Sequence, residues 1–140
     1  MKPKLLIAAD TYYPKVDGTL KFIEQFRKRA ESSFQLSLLV PDLGQHQGKN
    51  VTYLTTSKHL TLSGYPSIKL VANWKKITSA IKEAEIIFIQ GPALLGYLSM
   101  LYAPHIRKKT VFYVHVLSWE LFAKFVPRFL SGLTLRVIRR

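Results

Sequence analysis

The chain has 140 residues, of which 48% are hydrophobic and 12% aromatic. This size and composition are typical of one folded domain and exclude a disordered tail, because disordered segments are poor in aromatic residues. The absence of cysteine excludes a disulfide framework, a thiolate zinc site and a cysteine nucleophile. The net charge is +13, so nucleic acid, anionic lipid and phosphorylated small molecules are the partners to consider.

Short apolar runs and amphipathic helices alternate along the first part of the chain. KLLIAAD is an apolar run bounded by turn residues, which is typical of a buried strand. GTLKFIEQFRKRA places its apolar residues on one helical face and its charges on the other. In the stretch 57–73, GYPS is predicted as a turn, and IKLV has the composition of a short strand. We predict strands at 4–10, 34–41 and 51–56, and a helix at 18–30.

The same alternation continues in the second part. WKKITSAIKEA aligns its apolar residues on one face of a helix, and EIIFIQ and TVFYVHV read as buried strands. Ser118 is a suitable N-cap for a helix. We predict helices at 74–84 and 93–103, strands at 85–90 and 110–116, a helix from Ser118, and a helical pattern at 129–140.

One stretch has the length of a membrane span. No charged residue occurs between Glu85 and His105, and charge-free runs of this length can cross a bilayer. The turn signal QGP at 90–92 divides the run into a strand and a helix, so we do not expect it to span a membrane.

Strands that alternate with helices predict a parallel sheet with helices on both faces. The strands are nearly continuous apolar runs, as expected when both faces are buried. We therefore predict a single α/β domain over 1–140 with a Rossmann-like, doubly wound parallel sheet flanked by helices.

The carboxyl ends of parallel strands are where such sheets bind ligands. The first strand runs into DTYYPKVDG, the fourth into QGP, which contains Gly91, and the fifth into HVLSWE. Gly18 begins a predicted helix, where it is either part of a phosphate-binding site or an ordinary turn residue. Neither G-x-G-x-x-G nor a P-loop pattern is present, which argues against a nicotinamide, flavin or P-loop nucleotide site.

The remaining residues at this edge allow two interpretations each. Tyr12 and Tyr13 could stack on a sugar, or one of them could pack on the sheet edge; Lys15 could pair with phosphate or be solvated. His115 is either a satisfied core histidine or a site residue. Trp119 and Glu120 could line a pocket, although Glu120 could instead complement the helix dipole. We expect no metal site, because His46, His59 and His105 are scattered in predicted loops.

Four segments together resemble the N-terminal domain of family 4 glycosyltransferases. They are KLLIAADTYYPKVDGTLKFIEQF, LSLLVP, IIFIQGPALLGYLSMLYA and VFYVHVLSWELF, which cover roughly residues 4 to 126. The resemblance implies one half of a GT-B enzyme, in which two Rossmann-like domains face each other across a cleft. It implies sugar transfer with retention from a nucleotide sugar, without a metal. The C-terminal domain, which would hold the donor, is not within these residues, so we expect the chain to be inactive alone.

The resemblance also implies roles for individual residues. Gly18, with Asp17 before it, would approach the donor diphosphate, and His115 would contact the donor sugar as the catalytic residue. Many family members have two adjacent glycines where this chain has Asp17 and Gly18. The acceptor would be a lipid or a glycan, bound by the other residues of the edge, which are Tyr12, Tyr13, Lys15, Gly91, Trp119 and Glu120.

The cations near the end of the chain suggest a membrane surface. After Glu120 no acid occurs, and large apolar residues are mixed with cations, as in an interfacial helix. The apolar residues at 130, 133 and 137 could instead pack on another domain. We expect a cytoplasmic protein, peripheral to the membrane if the cations bind anionic lipid; those cations are Lys124, Arg128, Arg136, Arg139 and Arg140.

Two other functions stay open at this stage. The chain could be a non-catalytic subunit that supplies this half to a separate donor-binding partner subunit. It could also be a basic α/β module that binds RNA or DNA, but it has no RNP-like, GXXG or helix-turn-helix signature, so we expect no nucleic acid partner.

Overall fold

The computed structural model of the chain describes residues 1–62, 65–91 and 93–113. Within these residues strands and helices alternate, as the sequence predicts. In chain order they are β1 (Lys4–Ala9), α1 (Gly18–Ala30), β2 (Gln35–Pro41), β3 (Val51–Leu54), β4 (Thr56–Leu62), β5 (Tyr65–Ile68), α2 (Leu70–Glu83), β6 (Ile86–Gln90), α3 (Leu94–His105) and β7 (Lys109–Tyr113).

Five of the strands form one parallel sheet in the order β3-β2-β1-β6-β7. The register is regular: Ile7 in β1 is paired with Leu38 in β2 and with Phe88 in β6. The chain therefore runs outward from β1 to β2 and β3 on one side, and β6 and β7 extend the sheet on the other. This confirms the predicted α/β class and parallel sheet, and the strand order is compatible with a Rossmann-like fold.

Alternation along β1 separates two hydrophobic cores. Leu6 and Ala8 point to the face covered by α2 and α3, where they pack with Ile77 and Ile81. Leu5 and Ile7 point to the opposite face, where α1 contributes Leu20 and Ile23. Since both faces of the sheet are covered by helices, the central strands carry apolar residues at nearly every position.

The predicted elements agree closely with the observed ones around α1, β1, β2 and β6. The largest difference in a helix is at α2, which begins at Leu70 instead of residue 74. Its first turn is anchored by Asn73, which is buried and bonded to both backbone groups of Thr55, accepting from N at 2.9 Å and donating to O at 2.8 Å. An asparagine is a weak helix former, so the tertiary contact outweighs local propensity here.

The prediction of a turn at GYPS was wrong for those of its residues that the structure describes. Tyr65–Ile68 forms β5, which pairs with β4 in an antiparallel two-stranded sheet, and Thr61 is opposite Pro66. A proline is tolerated because a strand of a two-stranded sheet has one unpaired edge. The pairing continues to Ile68, which is buried in the core beside α2.

The charge-free stretch after Glu85 divides as predicted. It forms β6, a turn at Gly91 and then α3. Among the residues that the structure describes, no helix is long and apolar enough to cross a membrane. The helices predicted from Ser118 and at 129–140 lie outside the described residues, as does the end of the strand predicted at 110–116.

Candidate ligand site at the carboxyl edge of the sheet

The sheet has a topological switch point between β1 and β6. The connection from β1 leads to β2 on one side, whereas β6 continues to β7 on the other. In open α/β sheets this divergence leaves a crevice beyond the carboxyl ends of the two strands, where ligands bind. The residues at this crevice are Asp10 and Thr11 after β1, and Gln90 and Gly91 at the end of β6.

Asp10 joins the end of β1 to the start of α3. Its two carboxylate oxygens accept hydrogen bonds from the backbone N–H of Leu95 at 2.9 Å and of Gly96 at 3.0 Å. Burial raises the pKa of Asp10 to about 6, and the two amide hydrogen bonds oppose that rise. Asp10 thus occupies the amide groups that would otherwise make the N-terminus of α3 an anion site.

The turn after β6 depends on two glycines. Gly91 has φ +84°, a left-handed conformation that favours glycine. Its N–H donates to the carbonyl of Tyr113 in β7 at 3.0 Å. A side chain on Gly96 would collide with the Gly91 carbonyl oxygen, so α3 approaches the turn more closely than any other residue would allow. Gly91, predicted to bind the acceptor, therefore has a structural role at the edge of the crevice.

The start of α1 faces the same edge with a different chemistry. Asp17 is the N-cap, and its side chain accepts the N–H of Leu20 at 2.9 Å. Asp17 therefore caps α1, and its predicted contact with a diphosphate remains a prediction. The amides of Gly18 and Thr19, in the first turn of α1, have no acceptor within the helix, as is general for a helix N-terminus.

Gln90 connects the two parts of the crevice. Its side-chain amide donates to the carbonyl of Thr19 at 3.0 Å, and the residue is buried. The end of β6 is thereby attached to the first turn of α1. The position of the α1 N-terminus relative to the switch point is fixed by this bond as well as by packing of α1 on the sheet.

Tyr12 has a different role from the one predicted. It is only 1% exposed, and its hydroxyl donates to the carbonyl of Gln47 at 3.0 Å, with the Arg27 guanidinium 3.5 Å away. Burial raises its pKa. A ring enclosed in this way cannot stack on an acceptor sugar, so the prediction for Tyr12 was wrong, and the alternative, that one tyrosine packs on the sheet edge, is confirmed.

Tyr13 and Lys15 remain accessible. Tyr13 is half-buried and meets the Tyr12 ring edge to face, with centroids 5.2 Å apart. Lys15 is exposed, and its backbone N–H donates to the Tyr12 carbonyl at 3.3 Å, closing a turn. Their predicted contacts with an acceptor or a phosphate remain predictions.

The loop at 42–50 was not recognised from the sequence as part of this edge. It connects β2 to β3, and it brings Asp42, His46 and Tyr53 together. An acidic residue directly after a buried strand, with a histidine four positions on, was the signal available in the sequence.

Several predicted site residues cannot be placed. His115, Trp119 and Glu120 lie outside the described residues. So do all the cations assigned to a membrane surface, which are Lys124, Arg128, Arg136, Arg139 and Arg140. Their proposed roles are therefore unchanged predictions.

Within the described residues, no group of three His, Asp or Glu side chains is placed to hold a metal ion. No family model, no curated protein and no solved structure matches the chain. The geometry of the carboxyl edge and the resemblance of the four sequence segments are therefore the features that bear on function.

Proposed function

We propose that this chain is the acceptor-binding half of a retaining GT-B glycosyltransferase. In this proposal the carboxyl edge of the sheet faces a second, donor-binding domain, carried by the same polypeptide or by a partner subunit. A sugar passes from a nucleotide sugar to a lipid or glycan acceptor at the cytoplasmic face of a membrane.

The observation that carries the proposal is the environment of Gly18. Its backbone is outside the left-handed region, and a Cβ added there would meet no atom of the described residues within 4 Å. Neither conformation nor packing against the described part of the chain therefore requires glycine, although glycine weakens a helix relative to alanine. A missing side chain at a helix N-terminus supports close approach of an anionic ligand to the amides of Gly18 and Thr19.

These groups support a transfer reaction in which charge develops on a departing diphosphate. Backbone amides that are held in place stabilise such charge without reorganisation. Lys15, exposed in the same loop, would add a positive charge. His115 would contact the donor sugar, and Tyr13 would face the acceptor. Most of the catalytic effect would come from positioning and electrostatics.

A membrane location is supported by the outer surface of α2 and α3. Val71, Trp74 and Leu101 are 95%, 46% and 59% exposed. Lys75 and Lys82 follow Val71 by four and eleven residues, so the three share one side of α2. Exposed aromatic and aliphatic side chains among lysines suit the boundary of an anionic bilayer, where each lysine contributes about 1 kcal/mol.

The test is sugar transfer by the native gene product and by the 140-residue chain, measured side by side. Each protein is incubated with a panel of radiolabelled nucleotide sugars and with membrane lipid or glycan acceptors. We expect transfer with retention from the protein that includes a donor-binding domain, and none from the 140-residue chain. If the chain becomes active only when a separate donor-binding subunit is added, the split-enzyme alternative is correct.

Absence of nucleotide-sugar-dependent transfer in every combination would refute the proposal. Sedimentation of the chain with anionic vesicles, and gel shifts with RNA and DNA, would then separate a lipid-binding module from a nucleic-acid-binding module.

A further inference from the structure

We propose that the 42–50 loop binds a polyhydroxylated ring, with Asp42 and His46 accepting hydrogen bonds from its hydroxyl groups. This inference deepens the proposed function and rests on it for the role of the ring as acceptor. Recognition of the ring hydroxyls depends on the residues of the loop alone.

Asp42 is held firmly at the carboxyl end of β2. Its backbone N–H donates to the Leu54 carbonyl at 2.8 Å, and its carbonyl accepts from the Thr56 hydroxyl at 3.1 Å. Its side-chain Oδ1 accepts both the Gly44 amide and the His46 Nε2, each at 3.0 Å. The Gly44 amide, and after it the imidazole, lower the pKa of Asp42, so the carboxylate is charged at neutral pH.

The carboxylate determines which nitrogen of His46 carries a proton. A charged carboxylate only accepts hydrogen bonds, so Nε2 must be the donor. In the neutral imidazole Nδ1 is then an acceptor. Within the described residues, the two side-chain hydrogen bonds that Asp42 accepts both go to Oδ1, which leaves Oδ2 as a second acceptor. The pair therefore offers two acceptors to the O–H groups of a ligand.

The loop behind the pair is held by a ring contact and by hydrogen bonds. The Tyr53 ring lies 4.2 Å from the His46 ring, centroid to centroid. The Tyr53 hydroxyl accepts from the Gln47 N–H at 2.7 Å and donates to the Gln47 carbonyl at 2.8 Å. The Tyr12 hydroxyl donates to that carbonyl as well. These bonds connect the loop to the DTYYPKVDG segment and fix the two acceptors before a ligand arrives.

The exposure and charge of the pair select the ligand class. The side chains of His46 and Asp42 are 60% and 38% exposed, so a ligand can reach them. A carboxylate repels phosphate and attracts hydroxyl donors. A carboxylate after the second strand of a doubly wound sheet also occupies the place where ribose hydroxyls are bound in dinucleotide sites. A pyranose, an inositol ring or a ribose would meet these requirements.

The experiment is a titration of the isotopically labelled 140-residue chain, followed by two-dimensional amide NMR. The probes are methyl pyranosides, myo-inositol, a ribonucleoside monophosphate, its 2′,3′-dideoxy analogue and cyclohexanol. The proteins are the wild type, His46→Ala, Asp42→Asn, and His105→Ala as the matched control. His105 is also exposed, but it ends α3 and so lies away from the carboxyl edge.

For the wild type we expect saturable shifts of the 42–47 amide signals with a pyranoside or with inositol. His46→Ala and Asp42→Asn should bind at least tenfold more weakly. The control His105→Ala should bind as the wild type does. A response to the ribonucleotide but not to its dideoxy analogue would support hydroxyl recognition and overturn the acceptor role. No saturable response to any probe, an equal response to cyclohexanol, or unchanged binding in both variants with the Tyr53 and Gln47 signals intact would refute the inference. The titration does not measure sugar transfer. A failure of the transfer assay would therefore leave the titration result unaffected.

Discussion

The Asp10 carboxylate and the Gly96 amide, 86 residues apart in the chain, are joined by a 3.0 Å hydrogen bond at the switch point of the sheet. The second oxygen of Asp10 is bonded to the Leu95 amide. Gly96 also packs against the Gly91 carbonyl. The hydrogen bond from Gly96 to Asp10 therefore holds the end of β1, the start of α3 and the turn after β6 close to one another. The shape of the candidate crevice depends on it.

Replacing Asp10 by alanine should destabilise the fold. The amides of Leu95 and Gly96 are buried and would lose their acceptor, and an unsatisfied buried donor costs about 1–3 kcal/mol. We expect a loss of at least about 2 kcal/mol in the free energy of unfolding, measured by urea denaturation at pH 4, below the folded-state pKa of Asp10. The control is Glu24→Ala on the exposed face of α1, which should change stability by less than about 0.5 kcal/mol. Equal stability of the two variants would contradict this role for Asp10.

Stability should also depend on the ionisation of Asp10. Burial raises the pKa of Asp10 from its ordinary 3.8 to about 6 in the folded protein, so between these pH values the folded state binds more protons. The contribution of Asp10 is therefore complete below pH 4 and is lost as pH rises through 6, by about 3 kcal/mol. Urea denaturation from pH 4 to 7 should show this decline for the wild type relative to Asp10→Asn, which cannot titrate. Parallel pH profiles would show that the carboxyl is not perturbed.

Gly96→Ala should be poorly tolerated. The new methyl group would collide with the Gly91 carbonyl oxygen, which is backbone and cannot rotate away. Overpacking of this kind costs about 1–3 kcal/mol. Gly18→Ala is the matched change in a helix, and there the methyl group enters open space, so stability should be equal or up to about 1 kcal/mol higher. Thermal and urea unfolding of both variants would test the difference, and similar losses in the two would contradict it.

Gly18→Leu should separate folding from transfer. Among the residues that the structure describes, the space around Gly18 is open to a side chain, so the melting temperature should remain close to that of the wild type. The leucine would block an anion from the amides of Gly18 and Thr19, and we expect at least a hundredfold loss of transfer in the active protein, with Gly18→Ala intermediate. Full transfer by a folded Gly18→Leu protein would remove Gly18 from the site.

Tyr12→Phe should affect stability through its hydroxyl alone. The variant loses the bond to the Gln47 carbonyl and the contact with Arg27, while the Tyr53 hydroxyl still satisfies that carbonyl. We expect a loss of about 1 kcal/mol by urea denaturation. Tyr102→Phe is a suitable control, since the Tyr102 hydroxyl makes no hydrogen bond within the part of the chain that the structure describes. A loss of stability for Tyr102→Phe as large as that for Tyr12→Phe would assign the effect to something other than this hydrogen bond.

Local pattern was sufficient wherever neighbouring residues decide the structure. The helix predicted at 18–30 has the same bounds as α1, because its apolar stripe and its Asp17 cap lie within one continuous segment. The strand predicted at 4–10 matches β1 to within one residue. The antiparallel sheet of β4 and β5 was missed because a proline and a serine in β5 give a stronger turn signal than strand signal.

The sequence by itself determined the α/β class, most of the helices and strands, and the location of unusual residues after three of the strands. Periodicity and turn chemistry act over a few residues, so a single sequence carries them directly. Only the tertiary structure decided that Asp10 caps α3, that Tyr12 is buried against Gln47, and that Asp42 and His46 belong to the carboxyl edge. Those outcomes depend on which strands lie side by side and on which polar groups the packed core leaves without water, and no local pattern specifies either.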